Sequence, residues 1–254
     1  MPDMSIGVFL NILRPSNLET MKSFLNIEMR GNGSSRSKKT RKVRKRVWAI
    51  VQYDNRPLSE HDTALMARNK YYCEKYGYDY IFLSTSAHNV PPYWQKVFIV
   101  KDYLNKYKGI LWLDTDATIF NMNIQLDSFY SRPFSKSINS AGNQIFNAGV
   151  WIITNTPRAH IILNDWIHQY DKTAWRKIGN KWETNNSWAG EKYEQGSFAY
   201  KIAPKYPKDI QTLKENILQS TDMNDPDTFI LHFYSVYSKR IPAFLKKYPQ
   251  PDST

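Results

Sequence analysis

At 254 residues the chain is long enough for one large α/β domain or two small ones. Hydrophobic residues make up 41% of it, enough for a substantial core, and the single cysteine, Cys73, excludes an intrachain disulfide and a multi-cysteine zinc site. The net charge of +12 suggests nucleic acid until its distribution is read: residues 36–46, RSKKTRKVRKR, hold eight basic side chains, leaving +4 for everything else.

Residues 4–13, MSIGVFLNIL, are the most apolar early stretch. They are too short for a membrane span, which takes about 18 to 20 apolar residues, and no basic residue precedes them as in a signal peptide. No transmembrane segment is expected, and the protein reads as soluble and cytoplasmic. Gly31, Gly33, Ser34, Ser35 and Ser37 form a linker-like run into the basic block. Residues 1–46 therefore read as a partly disordered N-terminal segment and residues 47–254 as the folded domain. The block can give non-specific or peripheral contact with anionic surfaces. No zinc-finger spacing or other reading motif accompanies it, so no specific nucleic acid is expected.

Residues 47–51, VWAIV, read as a buried first strand. A helix over 60–76 follows, with Leu65, Tyr72 and Tyr76 along one face and Gly77 just past its end. Residues 79–83 are a second strand and 84–92 a polar loop. Trp94, Val97, Leu104 and Tyr107 fall near helical spacing and predict a helix over 94–107. Residues 110–113, ILWL, form a third strand that ends in Asp114-Thr115-Asp116. Strand–helix steps of this kind predict parallel pairing in an α/β fold. Residues 121–144 read as irregular, 149–154 as a strand, and Pro157 opens a helix to about residue 170. Residues 171–192 are polar and carry Trp175, Trp182 and Trp188; 194–200 read as helical and 229–233 as an extended piece that delivers His232. With 8 Trp and 17 Tyr the chain is rich in rings that suit either a core or a carbohydrate cleft.

Asp114 and Asp116 follow a hydrophobic strand, where ligands of open α/β sheets sit. They are either a pair of oxygen ligands for Mg²⁺ or Mn²⁺ on a diphosphate, or ordinary acids capping a turn. His232, within LHFY, is either a core histidine or a neutral imidazole ligand. Glu194 and Gln195 are candidates for contacts with sugar hydroxyls or the reacting centre, or a plain helix start. Asn147 is a candidate sugar contact or a loop hydrogen-bonder.

Six ordered motifs carry a resemblance across residues 47–235: RNKYYCEKYGYDY at 68–80, YWQKVFIVKDYL at 93–104, ILWLDTDATIFN at 110–121, FNAGVWIITN at 146–155, EQGSFAY at 194–200 and LHFYS at 231–235. Together they resemble the family of retaining galactosyl-, mannosyl- and xylosyltransferases that includes yeast mannan-building enzymes and plant xyloglucan xylosyltransferases. The resemblance implies the GT-A fold, a Rossmann-like α/β arrangement with a mostly parallel central sheet flanked by helices. It implies Asp114 on the donor ribose and the metal, Asp116 as the principal metal ligand, and His232 completing the set. Asn147, Glu194 and Gln195 are implied around the donor sugar or reacting carbon, and Lys96, Gln52 and Tyr53 near the nucleotide or its phosphates. The sequence departs from the family at Ala148, where serine is commoner, at Tyr234-Ser235 after the His-Phe pair, and in lacking the usual membrane anchor.

The expected function is a metal-dependent glycosyltransferase using Mn²⁺ or Mg²⁺. It would move a hexose or pentose from a UDP- or GDP-sugar to a glycan or glycoconjugate hydroxyl with retention. The rival readings are a nucleic-acid-binding protein acting through residues 36–46 and a non-catalytic sugar-binding protein of the same fold.

Overall fold

The computed structural model describes residues 46–85, 88–137 and 146–249. The run WAIVQY forms β1 (Trp48–Tyr53), flanked in parallel by β2 (Asp79–Leu83) and β3 (Gly109–Leu113). Side chains alternate across these strands. Trp48, Ile50, Leu111 and Leu113 join one apolar cluster, and Ala49, Val51, Ile110 and Trp112 join another. A strand buried on both faces reads as continuous apolar sequence rather than alternation, which is why VWAIV and ILWL stand out.

Among the described residues the sheet has six strands in the order β2-β1-β3-β6-β5-β9, with β5 Phe134–Ser137, β6 Val150–Thr154 and β9 Ile210–Leu213. Strand β6 runs antiparallel to β3 and β5, whereas β5 and β9 are parallel. The sheet is thus mostly parallel, with β6 the one reversed strand.

Helix α1 (Glu60–Tyr76) starts at a reciprocal cap between Ser59 and Asp62 and ends where Gly77 turns left-handed at φ 65°. Its buried face holds Leu65, Tyr72 and Cys73 as well as Arg68 and Asn69. Helix α2 spans Pro92–Leu104, so it begins on the two prolines and stops before Tyr107. Helix α3 spans Pro157–Ile167, capped by Thr156, and likewise stops short of residue 170. Trp94, Val97 and Val100 of α2 and Ile162, Leu163 and Trp166 of α3 pack in the cluster that covers one sheet face.

Outside the elements read from the sequence the structure has more order. Strand β4 (Ala117–Ile119) follows the aspartates, β5 lies within 121–144, and β7 (Arg176–Ile178) and β8 (Lys181–Glu183) form a hairpin turning at Gly179. Strand β10 (Ile230–His232) pairs antiparallel with β4, placing His232 opposite Ala117. Helix α4 (Glu194–Ser197) continues into a π-helical turn over Phe198–Ile202. Among the described residues no helix is long and apolar enough to cross a membrane. Of the basic block only Arg46 lies within the described residues.

Candidate active site

Strand β3 delivers Asp114 and Asp116 at its carboxyl end, and the β4–β10 ladder brings His232 to them across 116 residues of sequence. Two backbone bonds lock the join: Phe233 N–H donates to Asp116 O at 2.9 Å, and His232 N–H to Ser220 O at 2.9 Å. Asp114, Asp116 and His232 each offer a ligand atom within 4.8 Å of the others.

The surroundings of His232 fix which nitrogen faces the aspartate. Gln219 Nε2 donates to Asn147 O at 3.0 Å and Val150 O at 3.1 Å, which orients the amide. Its Oε1 must therefore accept from His232 Nδ1, 2.7 Å away. The other nitrogen, Nε2, stands 3.1 Å from Asp116 Oδ1. Two lone pairs do not approach so closely without a positive charge between them, so this gap takes a proton or a cation. Burial pushes the Asp116 carboxyl up, but His232 and then Lys96 outweigh it and hold the group below the usual carboxylate range. Two carboxylates and an imidazole with its second nitrogen bonded are a fitting donor set for a divalent ion such as Mn²⁺.

Asp114 is tied down by the protein. Lys96 Nζ reaches its two oxygens at 2.9 and 3.0 Å, and Trp112 Nε1 donates to Oδ1 at 2.8 Å. Lys96 is buried, also donates to Ala148 O at 3.2 Å, and lies 3.7 Å from Glu194 Oε1. Burial alone would lower the Lys96 ammonium, but Asp114 and Glu194 hold it above its ordinary value. Lys96, read from sequence as a group near the nucleotide or its phosphates, pins Asp114. Gln52 is fully buried beneath the site, donating to Asp114 O at 3.1 Å and accepting from Asn69 and Tyr80. Tyr53, one residue on, is half-buried at the strand end.

Glu194 is buried, and its Oε2 has no hydrogen-bond partner among the described residues. Burial pushes its carboxyl up to about 7, against the opposing pull of Lys96. Gln195 Oε1 accepts from Ala148 N–H at 3.0 Å, and Asn147 Oδ1 accepts from Gly149 N–H at 2.8 Å. The 146–149 segment thus ties Gln195, Asn147, Lys96 and Gln219 into one network. Gly149 admits His232: a Cβ there would stand 2.3 Å from the ring Cε1.

Two further residues, Asp54 and Arg56, join the site unsignalled by the motifs. Asp54 accepts from Thr115 Oγ1 at 2.8 Å, bridging the loop after β1 to the Asp114–Asp116 turn, and it takes Arg56 in a two-pronged pair at 2.9 and 2.6 Å. Burial raises the Asp54 carboxyl, but Arg56 and Thr115 outweigh it and hold it low. The Arg56 side chain is largely exposed and feels Asp116, so it presents a fixed positive charge beside the carboxylates. An Asp-Asn-Arg run after a strand was the available signal.

Comparisons with known proteins bear on the fold and on part of the sequence. The family model for the galactosyl transferase GMA12/MNN10 family matches residues 47–134. The probable alpha-1,2-galactosyltransferase gmh1 of Schizosaccharomyces pombe is 35% identical over 65 residues, 24% of this chain and 20% of the relative. The chain thus spans about a fifth of the length of the curated relative it matches. A crystal structure of a glycosyltransferase involved in the glycosylation of the major capsid of PBCV-1 superposes with TM-score 0.61 at 15% identity, covering 79% of this chain and 99% of that one. The glycosyltransferase GlyE of Streptococcus pneumoniae TIGR4 is also similar, with TM-score 0.45 at 15% identity over 76% of this chain and 56% of that one. The mostly parallel sheet and the superposition on the capsid-glycosylating enzyme place the chain in the GT-A fold, and its residues 47–134 are similar to the galactosyl transferase GMA12/MNN10 family.

Proposed function

We propose that the protein transfers a hexose or pentose from a nucleotide-sugar donor, UDP- or GDP-linked, to a glycan or glycoconjugate hydroxyl, using a divalent cation. The observation that carries this reading is the meeting of Asp114, Asp116 and His232 within 4.8 Å at the carboxyl end of β3. Those three residues would hold Mn²⁺ or Mg²⁺, which when bound supplies positive charge to a departing diphosphate.

The chain's own residues do the rest. Lys96 and Trp112 hold the Asp114 carboxylate in one orientation, so it meets its ligand without reorganising. Arg56, fixed by Asp54, is the exposed cation suited to a donor phosphate oxygen. Asn147, Glu194 and Gln195 border the sugar, with Gln195 nearest the reacting face. The resemblance supports retention: the bond from the anomeric carbon to phosphate breaks, the acceptor oxygen bonds to that carbon, and its proton passes to the departing phosphate oxygen. Such a route needs no dedicated protein base.

The test is donor hydrolysis and transfer with a panel of UDP- and GDP-sugars, with and without Mn²⁺. Asp116→Ala should lose at least about 100-fold in Mn²⁺-dependent turnover while keeping its melting temperature within a few degrees. Full Mn²⁺-dependent turnover by the folded variant rejects the metal assignment.

A further inference from the structure

Trp188 is 66% exposed, an unusual position for the largest side chain. The ring is nonetheless held. It stands on a tight turn over residues 187–190, closed by Gly190 N–H donating to Ser187 O at 3.0 Å, with Ala189 in the left-handed region at φ 56°. That turn is clamped to α4: a Cβ on Gly196 would stand 2.2 Å from Gly190 O and 2.4 Å from Ala189 O, so only glycine allows the contact. Behind Trp188 stand Tyr93 at 5.0 Å and Tyr193 at 5.1 Å between ring centres, both edge-on. Tyr193 in turn meets Trp175 at 4.9 Å. The indole N–H groups of Trp94 and Trp175 both donate to Lys192 O, at 3.0 and 3.3 Å, which fixes the segment that carries Tyr193.

A non-glycine residue in a left-handed turn, a glycine-only clamp and two edge-on supports make a preformed platform rather than a stray surface ring. The platform adjoins the site. Tyr193 directly precedes Glu194 and Gln195, and Tyr93 lies one helical turn before Lys96 on α2. Burial, and then the Glu194 charge, raise the Tyr93 hydroxyl, so the ring lies within electrostatic reach of that carboxyl. Trp188 and Tyr193 lie on the segment that leads into α4 and Tyr93 on α2, whereas Tyr53, Asp54 and Arg56 come from β1 and the loop after it. A pyranose ring has an apolar C–H face that stacks on an aromatic face, with hydroxyls left at its rim for polar partners.

We propose that Trp188, backed by Tyr93, Tyr193 and Trp175, is a stacking subsite for a pyranose ring of the acceptor. The proposal rests on the transferase reading above for the word acceptor, while the sugar binding itself is measured without donor. The full chain is titrated with cellotetraose, α-1,2-linked mannobiose, xylotriose and lactose, reading tryptophan fluorescence and saturation transfer to the sugar C–H protons. At least one of these sugars is expected to bind, about tenfold more weakly to Trp188→Ala, with much of the loss restored in Trp188→Phe. Tyr200→Ala, which removes another exposed ring, is expected to bind as the unaltered protein does, and melting temperatures establish that each variant is folded. The proposal falls if no sugar binds the unaltered protein, or if Trp188→Ala binds them equally well. It falls too if UDP with Mn²⁺, and no sugar, loses affinity in Trp188→Ala, because the platform would then stack a base. Sugar binding at Trp188 in a protein that turns over none of the nucleotide sugars keeps the subsite and removes the transferase reading.

Discussion

A Cβ on Gly149 would stand 2.3 Å from His232 Cε1 and 2.7 Å from Nε2, so Gly149→Ala must push the imidazole from its place between Gln219 and Asp116. The expected cost is two-fold in kind. Overpacking lowers stability by about 1–3 kcal/mol, and Mn²⁺ affinity in the presence of UDP falls at least about tenfold. Thermal melts and calorimetric titration separate the two effects; a folded variant with unchanged Mn²⁺ affinity would show that His232 is no ligand. Glu194 supplies the second prediction at this scale. Its carboxyl, pushed up to about 7 chiefly by burial, binds a proton more tightly in the folded chain than in the unfolded one. The stability this contributes is fully present below the ordinary glutamate range and is lost as the pH rises to about 7. Urea unfolding without metal should show a decline on the order of 3 kcal/mol across that window, absent in Glu194→Gln. Equal slopes in both proteins would place the titration elsewhere.

Among the elements, α1 and β4 depend on one buried amide. Asn69 Nδ2 donates to Gln52 Oε1 at 3.2 Å and Ala117 O at 3.0 Å, while its Oδ1 accepts from Ile119 N–H at 2.9 Å and Thr118 Oγ1 at 3.2 Å. Among the described residues strand β4 has only β10 as a ladder partner, so the amide in effect replaces a second neighbour strand. Asn69→Leu leaves Ile119 N–H and Ala117 O without that partner, and stability should fall by about 2–4 kcal/mol. Because β4 carries the pairing to His232, Mn²⁺ affinity should fall with it, even though Asn69 touches no proposed ligand; urea unfolding and Mn²⁺ titration report the two losses. The same residue shows why α1 was only partly legible. Arg68 and Asn69 are polar letters on a buried face, so the apolar pattern marked the helix but misjudged which side chains it hides. Helix α2 ended early because residues 105–108 turn back toward β3, where Lys108 N–H pairs with Val47 O, a constraint no helical spacing records. The β7–β8 hairpin was missed because its two strands are three residues each and mostly charged and exposed, and Gly179 is the one residue in the turn with a left-handed backbone.

For the molecule as a whole, the parts readable in advance were those whose burial is continuous in sequence. The strands VWAIV and ILWL and the acidic turn after them needed no partner to be recognised. What pairing decides stayed hidden: the reversed direction of β6, the ladder that joins β4 to β10, and the depth of Lys96 and Gln52, which sequence cannot distinguish from groups at a surface. That ladder also has a consequence in time. A chain leaving the ribosome at about 5–20 residues per second takes roughly 6 to 23 seconds to add the 116 residues that separate Asp116 from His232. Throughout that interval Lys96, made earlier, is already available to neutralise Asp114, while Asp116 waits for its imidazole. The acidic turn is thus among the first pieces of the site to emerge and the last to be completed.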